Sequence, residues 1–186
     1  MFRGFRNGRI AIEPWTRGAA AVLDDIPALQ SFWLRIDSPR LGQFSQEEQC
    51  PPTWEHAFRC RLLQVPSSTP SPAAPSTHPW TTNVGSTLLY EDTRVNVWDF
   101  QVAPDSRCPY HVHRFPYIFI NLVHGVTQGV DATGQILPDD PPRHHAPGDV
   151  TFVDVPDAND QFPHHAFQNL SPTTPFCQYI VEFKLP

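Results

Sequence analysis

Proline accounts for 22 of the 186 residues, and its placement limits what this chain can fold into more than any other feature. A proline ring removes a backbone donor and blocks the interiors of helices and of central strands. A chain so rich in it is poorly suited to a mostly helical fold and well suited to short strands joined by ordered turns. The distribution is also uneven. The run from Val65 to Pro79, VPSSTPSPAAPSTHP, carries no charged side chain and almost no large apolar one, so it cannot bury enough surface to offset its ordering entropy. We read 65–80 as a linker or extended arm between an N-terminal extension, 1–64, and a β-domain, 81–186.

At 21.1 kDa the chain can build one well-packed core with an appendage. Its net charge of -6, with only 13 Lys plus Arg, gives no basic surface for nucleic acid or membrane, so the expected partner is a small molecule. The opening lacks the apolar run of a secretory signal, and no stretch is long and apolar enough for a membrane span. A cytoplasmic protein is the expectation; Arg3, Arg6, Arg9 and Arg17 against Glu13 keep organellar targeting as the alternative. Cys50, Cys60, Cys108 and Cys177 form no CxxC pair and read as reduced thiols.

The first 64 residues suggest short helical or irregular elements. Ala19–Leu23 and Ile26–Trp33 are interrupted by Pro27, and Ser45 with Glu48 resembles a capping box. Trp54, Phe58 and Leu62 recur at the helical i, i+4 interval after Pro51 and Pro52, which suit a first turn. His56 lies off that stripe and reads as a surface residue. Phe44, Trp54 and Phe58 need cover, either from the chain's own barrel or from a second subunit, so a homodimer is one expectation.

Beyond the linker the period becomes two. Leu88–Val102 alternates over much of its length, and Tyr110–Val123 is a second strand candidate bent near Pro116. Thr127–Val130 and Gln135–Leu137 flank the turn Asp131–Gly134, and Asp149–Val155, Ala166–Leu170 and Phe176–Phe183 follow. Short strands without amphipathic crossover helices indicate an antiparallel sandwich or barrel.

That alternation aims His111 and His113 from one strand face at one point. His165 begins a later strand and supplies a third imidazole, with Asn169 four positions on. Three neutral imidazoles suit Fe(II), Zn, Ni, Co or Cu rather than Ca or Mg, and three protein ligands leave positions open. His164 must face the opposite way to His165, so His165 is the chosen ligand. His144 and His145, among prolines, read as loop residues, one of which could approach the cavity mouth; His124 reads as structural or exposed.

From about residue 87 onward the chain resembles a cupin, an antiparallel double-stranded β-helix or jelly-roll barrel. Its first motif is matched by His111, His113 and Gly125, its second by Gly148, His165 and Asn169, and Pro104-Asp105 resembles the Pro-Gly turn before the HxH strand. Where the family places a metal-binding glutamate, this chain has Tyr117 and Ile118. Arg114 cannot substitute, since a guanidinium has no lone pair to donate. In the second motif 157–161 lengthen the approach to His165. The remaining set resembles three-histidine cupins, among them thiol dioxygenases and a diketone-cleaving dioxygenase.

The resemblance implies one transition metal, Fe(II) first and Zn, Ni, Co, Mn or Cu as alternatives. It further implies a non-haem dioxygenase using O2 on a small thiol, diketone or phenolic/carboxylic substrate. The alternatives are a non-enzymatic metal- or small-molecule-binding cupin and a metal-dependent isomerase, lyase or decarboxylase. Tyr117, Arg94 and Trp98 are candidate substrate contacts, Arg94 and Trp98 because they share a strand face with Asn96. Cys108 lies three residues before His111 and, with Asn169, Gln178 and Tyr179, is a candidate for the pocket or its surroundings. Some thiol dioxygenases carry a cysteine–tyrosine crosslink, but nothing in the sequence sets a tyrosine beside Cys108. Gln178 and Tyr179 are neighbours on the last strand, so one of them points inward.

Overall fold

The computed structural model describes residues 4–19, 28–36, 43–63, 79–155 and 164–184. The chain divides into two compact units, with the boundary between Thr69 and Pro70. The proline-rich run through residue 78 and the 157–161 segment lie outside the described residues, as does Ala20–Pro27. Among the described residues every regular element is a strand.

The first unit is one antiparallel sheet. Its strands are β1 (Phe5–Arg6), β2 (Ile10–Thr16), β3 (Gln30–Arg35), β4 (Phe44–Ser45) and β5 (His56–Leu62), in the order β1-β2-β5-β3-β4. The expected helix over Trp54–Leu62 is therefore a central strand. The i, i+4 spacing of Phe58 and Leu62 is common to both periods, because four residues are two full strand repeats. Cys60, the residue between them, decides the matter: Phe58, Cys60 and Leu62 share a strand face and are all buried, whereas in a helix Cys60 would point away from the other two. The capping-box reading of Ser45 and Glu48 fails as well, because Ser45 pairs with Trp33 at the sheet edge. Among the described residues β1 pairs with β2 at Ala11 and Ile12, and Pro14 is paired with β5 alone, so no strand on its other side calls for its missing donor. Buried Arg61 on β5 is ion-paired to Glu13 on β2.

The second unit is a jelly roll. One sheet runs β12-β9-β14-β7-β6 and the other β11-β10-β13-β8. The strands are β6 (Thr87–Glu91), β7 (Val95–Val102), β8 (His111–Val112), β9 (Tyr117–Asn121), β10 (Gly125–Val130), β11 (Arg143–His145), β12 (Val150–Val153), β13 (His164–Asn169) and β14 (Phe176–Phe183). All strand pairs are antiparallel. Phe100 and Phe176 from one sheet meet Phe167 from the other, with ring centroids 5.5 and 5.6 Å apart, and this aromatic contact closes the core.

Two candidate strands are broken in ways that matter for the site. Leu88–Val102 is a hairpin, because the Asp92 carboxylate accepts from the Arg94 and Val95 amides and turns the chain. Tyr110–Val123 is split at 113–116, so that β8 lies in one sheet and β9 in the other. His144 and His145, expected as loop residues, belong to the edge strand Arg143–His145 on β10, whereas Gln135–Leu137 is held to β10 only by an isolated bridge from Ile136 to Val130. Asp131 forms the turn as expected: its carboxylate accepts from Thr133 and Gln135, and Gly134 takes a left-handed φ of 85°.

Candidate metal centre

Strand pairing brings the distant histidines together. In the β8–β13 ladder His165 stands directly opposite His111, so two residues far apart in sequence become a cross-strand pair on the inner face. His113, two residues past His111 on the same side, completes the group. The three ligand nitrogens lie within 4.8 Å of one another. His111 Nε2 and His113 Nε2 are 3.1 Å apart; nitrogens each about 2.1 Å from one ion stand about 3 to 4 Å apart, so this pair is already at ligand spacing.

The surroundings fix how the rings present their lone pairs. His111 Nδ1–H donates to the Pro109 carbonyl at 2.8 Å, which leaves its Nε2 lone pair aimed inward. His113 is buried, and its ring stacks on Tyr117 at 3.8 Å and 9°. Its Nδ1 has no hydrogen-bond partner. Burial, reinforced by the neighbouring imidazoles, pushes His113 down to about 2 and His165 down to about 3, and burial lowers His111 as well. The cluster is therefore neutral at physiological pH, with its lone pairs free. Three convergent, neutral imidazole nitrogens, from the buried His111 and His113 and the half-buried His165, fit a borderline transition ion and do not fit a hard cation that demands oxygen.

Tyr117 occupies the place where the cupin pattern has glutamate. Its phenol is pushed up to about 12, burial being the largest cause and Glu182 the second, so it remains protonated and adds no charge to the cluster. The metal set among the described residues is thus three imidazoles and no carboxylate.

The cluster opens into a cavity of about 400 Å³. Aromatic and aliphatic side chains form most of its wall, including Phe100, Phe119, Phe167 and Phe176. Polar side chains also reach this wall. Gln178 Nε2 donates to Asn121 Oδ1 at 2.6 Å, and Thr127 Oγ1 is paired with His145 Nε2 at 2.8 Å. Arg143, ion-paired to Asp140 at 2.6 Å, also lines the cavity. Burial, then Arg143, lowers His145.

The other sequence-stipulated residues fall into place by register. Gln178 points inward with Phe176 and Ile180, so Tyr179 points to the other face, where it is buried away from the cavity. Arg94 lies in the β6–β7 turn, exposed and outside the cavity wall; it does not continue the face of Asn96 and Trp98, because the turn ends the alternation. Trp98 keeps the inward phase, but its Nε1–H donates to Glu182 and it lies outside the wall of the histidine cavity. Cys108 is a buried thiol raised to about 11, burial being the main cause, and its sulfur accepts from the Phe167 amide at 3.2 Å. All four cysteines are free.

Asn169 is a clamp. Its Nδ2 donates to the carbonyls of Val102, Ala103 and Thr174, and its Oδ1 accepts from the Ser171 amide. His164 points outward, its Nδ1 paired with the Tyr110 hydroxyl at 2.9 Å and its ring 4.5 Å from that of Trp80. His124 is exposed. Sequence reasoning missed the Thr127–His145 pair, because nothing local reveals that 143–145 is an edge strand. It also missed Glu182, whose inward phase is set by β14.

The fold and the centre together define a cupin-type double-stranded β-helix carrying a candidate three-histidine metal centre. No protein-family model matches the chain, and no curated protein sequence does. Among solved structures it is similar to a cupin domain from Bordetella pertussis Tohama I, at 18% identity over 52% of this chain and 88% of that one, with a TM-score of 0.42. It is also similar to an RmlC-like cupin family protein from Methanocaldococcus jannaschii, at 14% identity over 53% and 78%, TM-score 0.37. A third is a DMSP lyase from Ruegeria pomeroyi DSS-3, at 17% over 50% and 39%, TM-score 0.33.

Proposed function

We propose that this chain is a metal-dependent cupin whose His111, His113 and His165 hold one transition ion, Fe(II) in the first instance, and that it acts as a dioxygenase on a small diketone or phenolic/carboxylic substrate. The observation that carries this reading is the set of three neutral imidazoles converging on an apolar cavity, with Tyr117 standing in place of a carboxylate. A ferrous ion bound there would supply activation of dioxygen and of an anionic substrate. A neutral ligand set leaves the ion's full charge to be balanced by such a substrate.

The chain's own residues do the rest. The Pro109 carbonyl and the Tyr117 ring orient His111 and His113. The phenylalanines exclude water and give an aromatic or branched substrate a wall to pack against. Thr127 with His145, and Arg143, offer hydrogen bonds and positive charge to an acidic substrate group. This lining favours a diketone or phenolic acid over a short amino thiol, which would leave most of the apolar wall uncovered.

Anaerobically prepared, iron-loaded protein should consume O2 when given a β-diketone or a phenolic acid. Bound zinc with no O2 uptake across diketones, phenolic acids and thiols would leave a binding module in place of the oxygenase.

A further inference from the structure

The barrel unit contains a second cavity, of about 210 Å³, that the histidine centre does not use. Its wall includes Asn96, Trp98, Glu182 and Arg114 together with the apolar Leu88 and Phe115. Glu182 is 2% exposed, a rare position for a carboxylate unless it is paired. Its Oε2 accepts from both Asn96 Nδ2 and Trp98 Nε1, each at 2.9 Å. Oε1 takes no donor among the described residues. Asn96, 8% exposed, has the same imbalance: its amide nitrogen is used, and its buried Oδ1 has no partner. Asn96 Oδ1 is thus a buried acceptor unmatched by a protein donor, which is costly, and Glu182 adds a carboxylate to the same wall. Burial, outweighing the two hydrogen bonds, holds the Glu182 carboxyl above its ordinary range, and a cation against Oε1 would offset part of that cost.

We propose that this second cavity is a binding site for a small organic monocation bearing N–H donors, an ammonium or guanidinium group, held by Glu182 Oε1 and Asn96 Oδ1 against the indole of Trp98. The wall favours such a cation over a hard metal ion. A divalent ion of that kind takes six or more oxygens, whereas an organic cation uses both the carboxylate and the aromatic and aliphatic surface around it. Among the described residues the only group of three or more metal-ligating histidine, cysteine or acidic side chains is the histidine centre.

The test uses the full-length protein and the indole N–H resonance of Trp98, assigned with Trp98→Phe. Because that N–H donates to Glu182, it reports any ligand that reaches the carboxylate. Ethylammonium and guanidinium ions, titrated through the millimolar range, should shift it saturably. Tetramethylammonium, which has the charge but no N–H, and potassium should not. Glu182→Gln keeps an oxygen for Asn96 and Trp98 but removes the charge, and should weaken ethylammonium binding by about tenfold or more. Asn96→Ala removes the second acceptor and should weaken it as well. A saturable response to magnesium in place of the organic cations, equal responses to tetramethylammonium, or unchanged affinity in both variants would overturn the proposal. Cobalt binding at the histidine centre, followed by its visible absorption, is read separately, so failure at one site is distinguishable from failure at the other.

Discussion

His164 and His165 are adjacent, yet the strand gives them opposite fates: one joins His111 and His113, the other stacks with Trp80 and Tyr110. His165→Ala should therefore abolish tight binding of cobalt or zinc, and His164→Ala should leave it within a few-fold of the wild type, as measured by competition with a chromogenic chelator. Equal losses would contradict the register. Asn169 makes a second test at this scale. Removing its side chain takes the donor from the buried Val102 carbonyl and from the partly buried Ala103 and Thr174 carbonyls, so Asn169→Ala should cost about 1–3 kcal/mol in urea unfolding while metal affinity changes little. The ligand histidines were legible in the sequence because strand period and motif spacing agree on them. The Tyr117 stack was legible only as a missing glutamate, since a ring-on-ring contact across the 113–116 break leaves no local trace.

At the scale of elements, Gly125 and Asp105 show how the cupin pattern becomes geometry. A Cβ on Gly125 would lie 2.6 Å from Phe176 Cδ2, so Gly125→Ala should force the β10–β14 packing apart and cost about 1–3 kcal/mol, measured as a fall in the urea midpoint. Asp105 holds a φ of 50°, the left-handed conformation that the family's Pro-Gly turn meets with glycine. Asp105→Gly should then be neutral or slightly stabilising, although Asp105 also accepts from Gln168. β7, with Val95 and Val97 on one face and Asn96, Trp98 and Phe100 on the other, could be read from alternation. β5 could not, since its apolar spacing satisfied the helical period too. Nor could the break at 113–116, where one run of β-forming residues is divided between two sheets by tertiary pairing.

For the whole molecule the pH dependence of stability follows from the buried imidazoles. His113 and His165 have folded values depressed to about 2 and about 3 from an ordinary 6.5. Above 6.5 both states are neutral; as pH falls below it the unfolded chain takes up protons that the folded one refuses. Stability is thus lost on acidification, at about 1.4 kcal/mol per pH unit for each group, until the folded values are reached. Metal-free protein should show this slope in urea titrations between about pH 6 and about pH 4, and His113→Leu should remove one group's share of it. The overall class was legible because proline excluded helices and alternation demanded strands. The sheet of the first unit was not, because its pairings join segments that carry weak individual signals.

The central claim is a single metal ion bound by imidazole nitrogen alone, and X-ray absorption at the metal edge tests it most directly. Stoichiometrically iron- or cobalt-loaded protein should show one ion per chain with three histidine nitrogens, the remaining positions filled by solvent or substrate oxygen, and His113→Ala should lose that spectrum. Sulfur in the first coordination shell, or a spectrum and stoichiometry unchanged in His113→Ala, would contradict it.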